Sequence, residues 1–175
     1  MKALLVVDMQ KDFCYKNGSL YINGVEKLFE PVNEVIRKAR SRDFAIIFTQ
    51  DWHRDDDSEF QIWPKHCIMY TEGSQLIDEI ETKRDDYFVK KRRYSAFFGT
   101  DLDMLLRERG IKDLYVCGVA TNICVLHTVS DAKLLGYNVK IIADCTMALS
   151  EFEYRYGMYH MENVLRVDVI NSSTF

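Results

Sequence analysis

Leu114-Tyr115-Val116-Cys117-Gly118-Val119-Ala120-Thr121-Asn122-Ile123-Cys124-Val125 is the stretch whose reading decides the fold. Its first four residues form an apolar run of the kind found in a buried strand. From Val125 to Leu135 apolar residues recur at helical spacing. A buried strand that turns through small residues into a helix is half of a βαβ unit. The reading places Cys124 in the first helical turn, beside unpaired amides and the positive end of the helix dipole. That setting is expected to lower a thiol pKa and expose a nucleophilic thiolate. The small residues upstream let the backbone approach a substrate oxygen, as an oxyanion hole requires. The competing reading makes Cys124 a small buried hydrophobe.

The same alternation extends outward in both directions. Residues 3–7, 44–49, 87–90, 114–117, 139–143 and 165–170 read as strands, and 25–40, 75–82, 101–109, 125–135 and 152–163 as helices. Gly110 and Gly136 close two of the helices. Strands alternating with helices predict a three-layer α/β/α architecture with a central six-stranded parallel sheet, in one domain over residues 1–175. A hydrophobic content of 47% and only two prolines suit an ordered chain of 175 residues. The formal charge of −4 offers no footprint for nucleic acid or an anionic membrane. Five cysteines without framework spacing point to a reduced, cytoplasmic setting. The opening apolar run is cut short by Asp8, unlike a signal sequence.

Ligands of such sheets bind beyond the carboxyl ends of the strands. Asp8, Asp51, His53, Lys91 and Cys124 all follow strand ends, so one rim collects them. Asp8, directly after a buried strand, reads as a general base for the Cys124 thiol or as a cap. A lysine of the Lys90-Lys91-Arg92-Arg93 run could hold it ionised, and spacing does not separate Lys90 from Lys91. The bland reading of that run is a solvated basic loop. Asp51 and His53, two apart on extended chain, share a side, and His66 completes a set of one carboxylate and two imidazoles. Such a set with open positions suits a divalent metal: zinc first, with iron or manganese as alternatives. Cys67 reads as core, His127 as a packed helix residue, and Arg54–Glu59 as a solvated acidic loop in which one oxygen could assist the metal. His160 with Tyr154, Tyr156 and Tyr159 reads as core or subunit contact.

Five motifs together resemble the isochorismatase-like cysteine hydrolases, and within them the nicotinamidase (pyrazinamidase) branch. They are Val6-Val7-Asp8-Met9-Gln10-Lys11-Asp12-Phe13, Thr49-Gln50-Asp51-Trp52-His53, Trp63-Pro64-Lys65-His66-Cys67, Tyr94-Ser95-Ala96-Phe97 and Gly118–Val125. The resemblance implies a catalytic triad of Asp8, Lys91 and Cys124, with Lys91 taken over Lys90 by its distance from Ser95. It implies a cis Val119–Ala120 peptide, an oxyanion hole from the Ala120 and Cys124 amides, and metal ligands Asp51, His53 and His66. Phe13, Trp63 and Tyr94 fall to the substrate pocket. The implied reaction is hydrolysis of nicotinamide to nicotinate and ammonia through a thioester on Cys124, in NAD salvage; a homo-oligomer is expected of a soluble enzyme of this size. Alternatives are another C–N hydrolase acting on N-carbamoyl or ureido compounds, an isochorismatase, and a non-enzymatic metal-binding protein. Two departures stand out: Asp57-Ser58-Glu59-Phe60 lacks the histidine that many relatives carry after the first metal pair, and Tyr70-Thr71 replaces a Gly-Thr, which predicts a narrowed or reshaped pocket.

Overall fold

A computed structural model describes residues 1–175. Strands β1 (Lys2–Val7), β2 (Ala45–Asp51), β3 (Tyr87–Lys91), β4 (Asp113–Val119), β5 (Asn138–Met147) and β6 (Asp168–Ile170) form one sheet in the order β3-β2-β1-β4-β5-β6. Every pairing is parallel, as predicted. Parallel neighbours need crossovers: helices α2 (Phe29–Arg40), α3 (Leu102–Glu108), α4 (Leu126–Leu134) and α5 (Glu151–Tyr159) lie in four of the five strand connections, and the β2–β3 connection carries only two short 3₁₀ turns, Ser58–Gln61 and Glu72–Ser74. A short helix, α1 (Lys11–Cys14), follows β1.

The pleat of β1 shows why both faces must be covered. Ala3, Leu5 and Val7 point into one buried cluster with α3 and α4, and Leu4 and Val6 into another with α2. Each cluster holds 21 buried residues, so the sheet is sealed about equally on its two sides.

Three local expectations change. Residues 75–82 are not helical: Gln75 O accepts from Lys11 N, and Ile77 N donates to Met9 O, so this backbone pairs with the segment after β1. The apolar spacing of Leu76, Ile77 and Ile80 that mimicked a helix serves to bury Ile77 and Ile80 in a loop. The helix predicted from residue 25 begins as a 3₁₀ turn, Val25–Leu28, and becomes α-helical at Phe29. The sixth strand starts at Asp168 rather than 165 because Arg166 adopts φ +54°.

Register sets the site. Val7 pairs with Thr49 and Gly118, and Asp51 with Lys91, so the strand ends are level and their following residues share one rim. Gly118 has φ +104°, and a Cβ there would overlap the backbone of Val7. Gly118→Ala is therefore expected to destabilise the fold by at least about 2 kcal/mol, measured by urea denaturation; a loss under 0.5 kcal/mol, the usual effect of a neutral surface change, would contradict this account of the β1–β4 approach.

Candidate active site

Asp8 leaves β1 in the left-handed region (φ +50°), which turns its side chain into the rim. Thr49 fixes it from the next strand: the Thr49 hydroxyl donates to Asp8 Oδ1 at 2.6 Å, and Asp8 N lies 3.2 Å from Thr49 Oγ1. Lys91, the last residue of β3, is fully buried and reaches between two carboxylates. Its Nζ stands 2.8 Å from Asp8 Oδ2, pairs with Asp51 Oδ1, donates to Arg93 O at 3.1 Å, and lies 3.4 Å from Cys124 Sγ. Lys90, one residue earlier, points to the other side of the strand and lies over the Trp52 ring, 3.7 Å from its centre. The alternation of a strand thus separates the two lysines that sequence spacing left open.

Cys124 sits in a π-type turn, Thr121–Val125, that precedes α4. Thr121 ties that turn to β5 through its hydroxyl, 2.8 Å from that of Thr146. The Val119–Ala120 peptide is cis, and the Ala120 carbonyl accepts from Ile123 N and Val125 N. Ligand-capable atoms of Asp8, Asp51 and Cys124 lie within 4.8 Å of one another.

The electrostatics correct one expectation. Burial pushes the Cys124 thiol well up, Lys91 only partly offsets this, and Asp8 and Asp51 push the same way. Loss of solvent and two carboxylates raise this thiol, in the direction opposite to that expected of the helix end. A thiol in this state needs a base. Burial likewise raises Asp8 above the ordinary aspartate value of 3.8, with Lys91 opposing. Lys91 itself is held charged: burial disfavours the ammonium, but Asp51 and Asp8 outweigh it.

Beside this group lies a second. His53 Nε2 and His66 Nε2 each stand 3.7 Å from Asp51 Oδ2, and the rings are 4.8 Å apart. Both imidazoles are held at Nδ1: His53 by Asp57 Oδ2 at 3.2 Å, His66 by the Pro64 carbonyl at 2.7 Å. An acceptor at Nδ1 places the proton there and leaves Nε2 with a free lone pair. His53 Nε2 is buried with no hydrogen-bond partner. Donors sharing one zinc at about 2.1 Å lie about 3.4 Å apart in tetrahedral geometry, close to the observed spacing. The donor set fits a divalent metal. Glu59 Oε1 faces the same point, 3.9 Å from His53 Nε2 and 4.0 Å from His66 Nε2.

Glu59 and Asp57 overturn the reading of 54–59 as a solvated loop, since both are buried. Arg92 and Arg93, though partly exposed, both ion-pair with Asp57. Gln10 is a further residue that sequence reasoning quoted without a role. Its side-chain amide donates to Asp51 O and accepts from Asp51 N, both at 2.8 Å, and so clamps the backbone of that residue.

The two groups open onto a cavity of about 430 Å³, its mouth included, lined by Phe13, Leu20, Ile22, Trp63, Tyr94, Ile123 and Leu149 with Asp51, Glu59, His66, Ala120 and Cys124. The Trp63 indole N–H donates to the Tyr94 hydroxyl at 2.9 Å, so the two aromatics form one wall. The three aromatics expected at the pocket are there, and Leu20, Ile22 and Leu149 join them from loops without a motif. Tyr70 does not narrow the cavity: it is 82% exposed and packs edge-on against Trp52. His127 lies at the exposed surface of the helix, with its Nδ1 2.8 Å from Ile123 O and its ring packed edge-on against Tyr94. Tyr156 and Tyr159 are likewise exposed, not core, whereas Cys67 is core as expected.

Residues 2–172 match the family model described as the isochorismatase domain. The chain belongs to the isochorismatase family. This family member is 34% identical to the nicotinamidase of Escherichia coli over 82% of this chain and 81% of that one. Its fold superimposes on the zinc-bound pyrazinamidase of Pyrococcus horikoshii with a TM-score of 0.91 and 32% identity, covering 97% and 98% of the two chains. It is equally near the N-carbamoylsarcosine amidase of Thermoplasma acidophilum, with a TM-score of 0.89, 34% identity and coverage of 98% and 97%.

Lys91→Ala would strand two buried carboxylates and is expected to cost about 3–5 kcal/mol in urea unfolding. Lys90→Ala removes only a cation–π contact and is expected to cost about 1 kcal/mol or less. Equal losses would contradict the assignment of the buried cation.

Proposed function

We propose that this hydrolase of C–N amide bonds acts on nicotinamide, through a thioester on Cys124 and with a divalent metal, zinc first, held by Asp51, His53, His66 and Glu59. The observation that carries the reading is a cysteine–aspartate–lysine group and an open donor set facing the same apolar, aromatic-walled slot. A bound metal would supply a Lewis-acidic site able to hold a heteroaromatic nitrogen and so orient the ring.

Asp8 takes the proton of the Cys124 thiol as sulfur attacks the amide carbon. Its raised pKa makes it a better proton acceptor than an ordinary carboxylate. The amides of Ala120 and Cys124 receive the oxyanion, and the Lys91 ammonium offsets the added charge without giving up its proton. Asp8 passes the proton to the departing nitrogen, ammonia leaves, and the acyl group stays on sulfur. Asp8 then takes a proton from water as it attacks the thioester, and the thiol is restored as the acid leaves. Phe13 and the Trp63–Tyr94 wall hold the ring in place during both steps, and such positioning supplies much of the rate.

Substrate choice follows from the lining. No lysine or arginine borders the cavity. N-carbamoyl and ureido acids carry a carboxylate, for which this wall offers no side-chain cation. The uncharged nicotinamide suits it better, and a nicotinamide substrate would place the reaction in NAD salvage. The retained base and nucleophile argue against a non-catalytic metal-binding role.

Metal-replete protein is expected to release ammonia from nicotinamide, to lose about 100-fold or more of that rate on chelation, and to regain it when zinc returns. Hydrolysis of carbamoyl or ureido acids with none of nicotinamide would overturn the substrate. Because Asp8 must be ionised to act and its pKa is raised, kcat/KM is expected to fall with acidity through an inflection above 3.8. A pH–rate profile flat down to that value would contradict Asp8 as the base.

A further inference from the structure

Asp57 is the one buried carboxylate at the rim that neither the nucleophile nor the proposed donor set uses. Its side chain is wholly excluded from solvent. Oδ2 faces His53 Nδ1 at 3.2 Å and receives Arg92 at 3.0 Å. Oδ1 receives Glu59 N at 3.1 Å and Arg93 at 3.0 Å. One carboxylate therefore fixes the ring of His53, the backbone of Glu59 and the two arginines that follow Lys91. A charged group buried at this depth with every lone pair directed needs a reason, since a hydrophobic replacement is often no less stable.

We infer that Asp57 is a positioning residue for metal affinity: it holds the His53 proton on Nδ1, aims the bare Nε2 into the donor set, and seats Glu59 by the same carboxylate. This rests on the metal site of the proposed function and extends it to a residue that touches neither metal nor substrate. Arg92 and Arg93 are what let Asp57 stay ionised while buried. Because they adjoin Lys91, whose Nζ donates to the Arg93 carbonyl at 3.1 Å, the same turn sets both the nucleophile's cation and the metal's outer support. Carboxylate partners of metal-bound histidines characteristically tune affinity by 10–100-fold.

The test is the zinc dissociation constant, read by competition with a chromophoric chelator, for the wild type, Asp57→Ala, Asp57→Asn and the exposed control Asp56→Asn. Asp57→Ala is expected to weaken zinc by about 10–100-fold. Asp57→Asn leaves one acceptor oxygen where two served four donors, and is expected to fall between Asp57→Ala and wild type. Asp56→Asn is expected to match wild type. Melting of the metal-free proteins separates the alternatives: a merely structural Asp57 lowers the Tm of the apo-protein and leaves zinc affinity unchanged, which overturns the inference. Should Asp57→Ala fail to fold, Asp57→Asn decides alone, and unchanged affinity there overturns it. Wild-type protein that takes up no zinc overturns the metal site itself, and this inference with it; wild-type binding with unaltered Asp57 variants overturns the inference only.

Discussion

The Lys91 ammonium, buried between Asp8 and Asp51, is the interaction on which the rest of the site depends. Either carboxylate alone at this depth would be costly to ionise, and two side by side would repel. The cation makes both tenable. It also joins two chemistries that would otherwise be neighbours by accident. In the proposed reaction Asp8 serves the nucleophile and Asp51 the donor set, and Lys91 touches both as well as Cys124. With Glu59 counted, the rim still carries more carboxylates than lysines, an imbalance that a divalent cation beside the histidines would relieve.

The parallel sheet is what brings these groups to one point. Level registers between β1, β2, β3 and β4 put Asp8, Asp51, Lys91 and the turn after Gly118 on the same edge. Gly118 allows β4 to approach β1 closely enough for that edge to be compact. Around this frame stand short polar contacts to both backbone and side chains. Gln10 grips Asp51, Thr49 grips Asp8, and the Thr128 hydroxyl accepts from Ala96 N to fix the loop that carries Tyr94.

Much of this was legible in the sequence, for reasons that are themselves physical. Buried strands of a parallel sheet leave continuous apolar runs, so the six strands and the rim residues that follow them could be read directly. Asp51, His53 and His66 were found by strand alternation and ligand chemistry. Residues 75–82 were misread because apolar spacing reports burial, not the backbone pairing with Met9 and Lys11 that keeps them from coiling. The run 54–59 reads as a solvated acidic loop, and a solvated loop stands as the bland alternative for 90–93, because sequence does not show which distant charges meet. Only in three dimensions do Arg92 and Arg93 meet Asp57 and make its burial possible. The thiol of Cys124 was misjudged for the same reason, since its helix end is visible in sequence and its two carboxylate neighbours are not.

The most direct test of the central claim, a Cys124 nucleophile served by Asp8 across Lys91, is to stop nicotinamide turnover with acid and weigh the Cys124 peptide. The account predicts a hydroxylamine-sensitive pyridinecarbonyl adduct on Cys124, present during turnover and absent in Cys124→Ala. Turnover with an unmodified Cys124 and an active Cys124→Ala variant would contradict it.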